Sequence, residues 1–427
     1  MPHRLVRALT LLSLFVFSGC AANASTPPPS YHGGSVAPRA PYSTLQVPLH
    51  WAQSRPLTLD EIASVYLSHM SLDDKLGQLF VVALSDTDYN ATNAAMVEGM
   101  HAGAIILYAA NTVSKDQTRK LIATAQAHAT LPLLVLTDEE GGWVDRLIQL
   151  YGWRPSASDI GYTNDPKYAT AQGLQTGKDM RALGFNADFA PDVDVQLVNG
   201  PDQMTRTFGT TPEGVTKMAG AYLTGMQQAG IVACLKHFPG LGAATVDAHR
   251  DLPKIDRTLD QIESVELAPY RNLIATGQVQ MIMSTDLLMP AIDPTLPAEL
   301  SPAIMTGILR DELGFNGVVV TDALYMEGIA KKYSMATAAV MAIEAGNDMM
   351  EGAFSAYSVG DMKQAILAAM SRGDITPRRI DESVRRILLL KMRMGILPIP
   401  AGVAQVTPIG SLVPTVVDGP LALAPKG

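Results

Sequence analysis

Between residues 57 and 397 the chain alternates, eight times, between a short apolar run rich in β-branched residues and a longer stretch with helical spacing. Strand-length runs fall at 78–83, 104–108, 133–137, 187–190, 232–236, 281–284, 317–321 and 348–350. Helical spacing fills intervals such as 166–183, 212–229, 259–275 and 334–345, several of which end near glycine. This βα rhythm is that of a parallel sheet with helices outside it. Eight such units make an α/β fold of the TIM type, a (β/α)8 barrel forming a single catalytic domain over 57–398. A doubly wound open sheet is the rival architecture. No glycine-rich phosphate loop follows any strand in the required spacing, which takes weight from a nucleotide enzyme.

Charged residues cluster directly behind the apolar runs: Asp138 and Glu139 after the third, Asp192 and Asp194 after the fourth, Lys236 and His237 at the fifth, Asp286 after the sixth and Asp322 after the seventh. In a barrel these positions share one face, the face on which βα loops build active sites. Any one of them alone reads as a solvated loop charge; the joint pattern reads as a site.

The remaining segments carry address rather than chemistry. Arg4 and Arg7, an uncharged stretch of 12 residues from Ala8 to Gly19, and small residues before Cys20 read as an export signal over 1–19. The apolar stretch is much shorter than the roughly 20 residues a spanning helix needs. Small residues ending in cysteine resemble the lipobox of bacterial lipoproteins, with Phe17 in place of the usual leucine. The expectation is an extracytoplasmic protein held to a bacterial membrane only through a lipid on Cys20, with ordinary secretion as the alternative. Residues 20–56, rich in Ala, Pro and Ser, read as a tether, and 399–427 as a Pro/Ala-rich tail. The 32 basic and 41 acidic residues leave a net charge of −9 with no long run of either sign, so nucleic acid is not an expected partner. Cys20 and Cys234 are the only cysteines, too few for a disulfide framework or a cysteine zinc site. His3 lies in the signal, His32 and His50 lie near the tether, and His69, His101 and His128 have no ligand-spaced partner, so neither a metal nor another cofactor is expected. The sequence says nothing of oligomeric state.

Two segments carry candidate chemistry. Asp322 stands at the tip of Gly317-Val-Val-Val-Thr-Asp-Ala-Leu324, a strand that should be buried on all sides. It is either an N-cap for the helix that follows or a fixed, partly desolvated carboxylate able to attack a sugar's anomeric carbon. In Lys236-His-Phe-Pro-Gly-Leu-Gly-Ala-Ala-Thr-Val-Asp-Ala-His249 a strand ends in Lys-His and runs into a loop of small residues that closes on Asp247 and His249. The Asp-x-His spacing lets the carboxylate bond one ring nitrogen, fix the tautomer and leave the other nitrogen to trade a proton.

With these residues in place, the chain resembles family 3 glycoside hydrolases, specifically the single-domain β-N-acetylglucosaminidases of the peptidoglycan-recycling type, over roughly residues 57–397. Five motifs carry the resemblance: Met70-Ser-Leu-Asp-Asp-Lys-Leu-Gly-Gln-Leu79, Asp138-Glu-Glu-Gly-Gly142, Arg206-Thr-Phe-Gly209, Lys236-His-Phe-Pro-Gly240 with Asp247-Ala-His249, and Thr321-Asp-Ala-Leu324. The resemblance implies a retaining double displacement with Asp322 as nucleophile and His249, supported by Asp247, as acid and then base. It also implies that Asp138, Arg146, Arg206, Lys236 and His237 line the pocket for a terminal N-acetylglucosamine of a glycan such as a peptidoglycan fragment. The alternative for the Lys and Arg side chains is ion pairing with Asp192 or Asp194. Trp143 stands where the family commonly has arginine and Leu241 where its loop often has histidine; Trp143 either stacks on a sugar or covers the barrel mouth. Phosphorolysis, a β-glucosidase activity and a catalytically dead glycan-binding lipoprotein remain the alternatives. Turnover is expected to fall on the alkaline side as His249 loses its proton and on the acid side as Asp322 gains one.

Overall fold

The computed structural model describes Tyr42, residues 57–201 and residues 203–399. The expected signal, the Cys20 tether and the C-terminal tail lie outside the described residues, Tyr42 and Ile399 excepted.

Eight parallel strands form one sheet: β1 (Phe80–Ala83), β2 (Ala104–Ile106), β3 (Leu134–Leu136), β6 (Ala187–Asp188), β7 (Val232–Phe238), β8 (Met281–Ser284), β9 (Val318–Ala323) and β10 (Met349–Ala353). Two further strands, β4 (Glu139–Gly141) and β5 (Val144–Asp145), make an antiparallel hairpin just beyond β3. The sheet runs β3-β2-β1-β10-β9-β8-β7-β6, so first and last strands lie side by side in its middle and its free ends are β3 and β6. Those ends are stitched together. Asn186 N donates to Val135 O at 3.2 Å and Phe189 N to Thr137 O at 2.9 Å. The Asn186 side chain accepts from Val135 N at 2.8 Å and donates to Leu133 O at 3.0 Å, supplying the ladder bonds that the two-residue β6 is too short to make. The result is a nearly closed (β/α)8 barrel, not a doubly wound sheet. Because helices cover the outside and side chains fill the inside, the strands are buried on both faces, and their sequences run apolar without alternating.

Helix boundaries follow local chemistry. Asp165 caps Pro166–Leu183 through Lys167 N, Pro166 presets the first turn, and Gly184 ends the helix at φ 104°. The next helix, Pro212–Gln228, begins with a Thr211 cap and a proline in the same way. The two helices lie almost backbone to backbone: a Cβ on Gly173 would stand 2.2 Å from Tyr222 O, and one on Gly225 2.1 Å from Thr170 O. The interval 259–275 is not one helix. It divides into Leu259–Gln261, a wide turn over Ile262–Glu266, and Ala268–Ala275, with Pro269 unable to continue the earlier hydrogen-bond ladder. At the barrel end opposite the strand tips, Arg310 and Arg386 hold the buried Asp348 at 2.7 and 3.0 Å, tying the final helix Pro377–Arg393 to the start of β10. Asp348 stays below its ordinary value because these charges outweigh burial.

Candidate active site

One cavity at the strand tips is lined by Asp138, Arg146, Arg206, Lys236, His237, His249 and Asp322, together with Tyr108, Glu140, Tyr325 and Glu351. Asp247 stands behind His249 in the loop. All eight residues singled out in the sequence therefore meet at one end of the barrel.

Asp322 belongs to β9 itself and caps no helix: the next one, Glu327–Ala330, starts at Met326 without a side-chain cap. The Asp322 carboxylate accepts from Thr285 Oγ1 at 3.1 Å and from Ala323 N at 2.8 Å, while Asp322 N donates to Glu299 Oε2 at 3.2 Å. Glu299 is fully buried, and burial, then Asp286 and Asp322, push it well up beneath the site.

His249 rises from the loop that follows β7. Its Nδ1 lies 3.0 Å from Asp247 Oδ1, and the same oxygen accepts from His249 N at 2.9 Å. A neutral imidazole held this way donates from Nδ1. The ring is 62% exposed where it lines the cavity. The loop rests on the β9 side of the mouth, where Gly328 N donates to Ala248 O at 3.2 Å and Ala248 packs with Ala323 and Met326.

Opposite lies a buried ion network. Lys236 Nζ sits 2.8 Å from Asp138 Oδ1 and 2.7 Å from Glu140 Oε1. Arg206 grips Glu140 with two parallel bonds, Nε to Oε2 and Nη2 to Oε1, both 2.8 Å. Burial alone would raise the Glu140 carboxyl, yet Arg206 and Lys236 hold it well below its ordinary value. Burial likewise opposes the Lys236 charge, and Asp138 and Glu140 more than restore it. Arg206 Nη2 also lies 3.2 Å from His237 Nε2, while His237 Nδ1 lies 2.8 Å from Asp194 Oδ2. Burial and the nearby arginine and lysine outweigh Asp192 and keep His237 below its ordinary value. His237 is thus a neutral ring that donates to Asp194 and accepts from Arg206. Burial pushes Asp194 up to about 6 against bonds from Leu241 N and His237 N, and it pushes Asp192 up well beyond the ordinary range with help from Asp194. Lys236 and Arg206 therefore pair with Asp138 and Glu140, not with Asp192 or Asp194.

The match to the model of the glycosyl hydrolase family 3 N terminal domain runs over residues 71–390. The chain belongs to glycosyl hydrolase family 3. Beta-hexosaminidase A of Pseudoalteromonas piscicida is 32% identical over 326 residues, 68% of this chain but 53% of that protein. A beta-hexosaminidase of Idiomarina loihiensis is 33% identical over 274 residues, 63% of this chain and 82% of its own length. A family 3 β-N-acetylglucosaminidase structure from Paenibacillus sp. str. FPU-7 superposes with a TM-score of 0.75 at 35% identity, covering 80% of this chain and 67% of that one. The chain thus spans about half the length of the first of these relatives.

Within this family 3 barrel the structure adds residues that sequence reasoning did not single out. Glu140 is the centre of the ion network and was in view, inside Asp138-Glu-Glu-Gly-Gly142; nothing local distinguishes it from Glu139, which turns away to Arg154 at 2.7 Å. Glu351 follows the eighth apolar run as Asp322 follows the seventh, a signal of the same kind. Trp143, at the tip of the β4–β5 hairpin, is 86% exposed and is not among the residues that line the cavity, although Val144 and Arg146 just after it are. Leu241 lines the cavity and donates its N–H to Asp194 at 2.7 Å. Met283 and Met326 also line it, and Cys234 is a buried core residue. Asp192, Asp194 and His237 bring three potential ligand atoms within 4.8 Å, a grouping that sequence spacing did not reveal. Protein donors already engage both Asp194 oxygens and one of Asp192, the pattern of a carboxylate–imidazole support.

Proposed function

We propose that the chain is a retaining β-N-acetylhexosaminidase that removes terminal N-acetylglucosamine from glycans such as peptidoglycan fragments. An Asp322 oxygen attacks the anomeric carbon as the bond to the leaving oxygen breaks, and the proton on His249 Nε2 passes to that oxygen. Water then attacks the same carbon, giving a proton to His249, and the bond to Asp322 breaks. Asp247 holds the ring and stabilises its cationic form. The observation that carries this reading is the meeting of Asp322 and the Asp247-bound His249 on one cavity whose far wall is the Lys236–Glu140–Arg206 network. The names of the relatives support the sugar. The N-terminal signal and Cys20 support an extracytoplasmic, lipid-anchored location.

The test is hydrolysis of 4-nitrophenyl β-N-acetylglucosaminide and of the matching β-glucoside by the full chain, with and without phosphate, alongside Asp322→Ala and His249→Ala. The expected result is preference for the N-acetyl sugar, independent of phosphate, with the activity abolished at Asp322. Glucoside preference would overturn the sugar, phosphate dependence would overturn hydrolysis, and activity retained by Asp322→Ala would overturn the mechanism.

A further inference from the structure

Around the barrel, two routes lead from Asp322 on β9 to Asp138 beyond β3. One passes β8, β7 and β6 and carries Lys236 and His237, with Arg206 laid against them. The other passes β10, β1 and β2 and carries Glu351 and Tyr108. A pyranose with its anomeric carbon at Asp322 and its far end at Asp138 therefore shows one edge to a wall of donors and the other to Glu351 and Tyr108.

The second wall is built. Glu351 is 4% exposed, its N–H donates to Thr321 Oγ1 at 3.1 Å, and its Oε1 accepts from Tyr108 OH at 3.0 Å. Behind them Tyr108 stacks on Phe354 with ring centres 6.4 Å apart, and Phe354 meets Tyr325 edge-on at 4.8 Å. The Arg146 guanidinium lies 5.9 Å from the Tyr108 ring centre, with its buried Nε lacking a partner among the described residues. The two walls match the two edges of the sugar differently. A 2-acetamido group presents a carbonyl that seeks donors, which Lys236 and Arg206 supply. A hydroxymethyl group is a small apolar carbon carrying one hydroxyl, which an aromatic wall with a single carboxyl receives.

We propose that Glu351, positioned by Tyr108, recognises the 6-hydroxyl of the terminal sugar and makes that hydroxyl a requirement for efficient turnover. This rests on the hexosaminidase reading above. Burial, then the nearby Asp322 and Asp138, push the Glu351 carboxyl up to about 8. In neutral solution it is an acid that accepts from Tyr108 on one oxygen and donates to the sugar from the other, which adds no second negative charge beside Asp322.

The test pairs substrate and protein changes: 4-nitrophenyl β-N-acetylglucosaminide and its 6-deoxy analogue, with the full wild-type chain, Glu351→Ala, Glu351→Gln and Tyr108→Phe. A site built to bond a hydroxyl rejects the analogue lacking it, so the wild type should lose about tenfold or more in kcat/KM on the 6-deoxy sugar. Glu351→Ala should lose a similar factor on the parent sugar and treat the two alike, because the missing hydroxyl then has no partner. Glu351→Gln keeps a donor and should keep much of the discrimination; Tyr108→Phe should keep only part of it. If Glu351→Ala does not fold, the ratios for Glu351→Gln and Tyr108→Phe still decide. Full discrimination surviving in Glu351→Ala, or in Tyr108→Phe and Glu351→Gln alike with no change in kcat/KM, would overturn the assignment. An active wild type indifferent to the 6-hydroxyl would overturn it alone, whereas a wild type inactive on the parent sugar would overturn the hexosaminidase reading with it.

Discussion

Replacing Glu140 by glutamine tests whether the ion network holds the barrel mouth together as well as lining it. The change keeps the side chain's shape and removes its charge while Lys236 at 2.7 Å and the two Arg206 nitrogens at 2.8 Å stay in place. Two of these contacts fall from ion pairs to bonds between a cation and a neutral oxygen and the third is lost because an amide N–H then faces a cationic donor, a loss of about 1 kcal/mol apiece. The sum, about 3 kcal/mol, agrees with the roughly 3–5 kcal/mol seen when one member of a buried ion pair is removed. For a domain of about 340 residues, an unfolding entropy near 2 cal/mol/K per residue converts that loss into a fall of about 4 °C in Tm at pH 7. Because Glu140 is held below its ordinary 4.5, its contribution is present above that pH and is lost as pH falls toward the folded value. Scanning calorimetry at pH 7 and pH 4, with kinetics on the N-acetyl substrate, reads both consequences. The Tm gap between wild type and Glu140→Gln should narrow in acid, and kcat/KM at pH 7 should fall about tenfold or more as Lys236 and Arg206 lose their anchor. Equal Tm within 1 °C together with equal kcat/KM would refute the reasoning.

Three other outcomes are expected. His249→Ala should lose about 10²- to 10⁴-fold on substrates with poor leaving groups and much less on dinitrophenyl glycosides, whose departure needs no proton; equal losses on both would remove His249 from acid catalysis. Gly328→Ala places a Cβ 2.0 Å from Asp286 Oδ2 and 3.3 Å from Ala248 O, so it should cost about 1–3 kcal/mol and speed proteolysis of the 239–251 loop; unchanged cleavage there would mean the loop is not held at Gly328. Lys391 is fully buried with its ammonium 2.7 Å from Gln78 Oε1, and burial pushes it down to about 7. Its folded pKa lies below the unfolded one, so wild-type stability rises with pH between the two, and the Tm of Lys391→Met relative to wild type should worsen from pH 6 to pH 9; a pH-independent difference would contradict a lysine held neutral.

How much of this was readable in the sequence depends on the range of the forces involved. The eight strands announced themselves because a strand covered on both faces must be apolar throughout, and Pro166–Leu183 did so because its cap, proline and terminal glycine are all local. Asp322, Lys236 and Asp138 were legible for a related reason, since a charge at the end of an apolar strand has one place to be. The β4–β5 hairpin was not, because Gly141 and Gly142 at φ 79° and 60° make a turn within a motif whose side chains draw all the attention. The partners of Lys236 and Arg206 were not legible either. Which carboxylate a cation reaches depends on how β3, β6 and β7 are brought together, and sequence proximity favoured Asp192 and Asp194 over Glu140, 66 residues from Arg206.

The same crowding favours the proposed choice of a histidine as the acid of this site. The strand tips and the layer beneath them hold Asp138, Glu140, Asp192, Asp194, Asp286, Glu299, Asp322 and Glu351, against Lys236, Arg206 and Arg146. The structure manages the excess in two ways: Glu140 is neutralised by two cations, and Glu299, Asp192 and Glu351 are pushed up by burial and by the carboxylates around them. A further carboxyl beside Asp322 would join the second group, tightening its hold on the proton it must give up. An imidazolium meets the same field with opposite sign. Set on a loop with Asp247 as a partner, His249 in the proposed role would carry a proton into a negative site without adding to the charge that the β3–β7 network already balances, and the exposure of its ring would let the proton return from solvent.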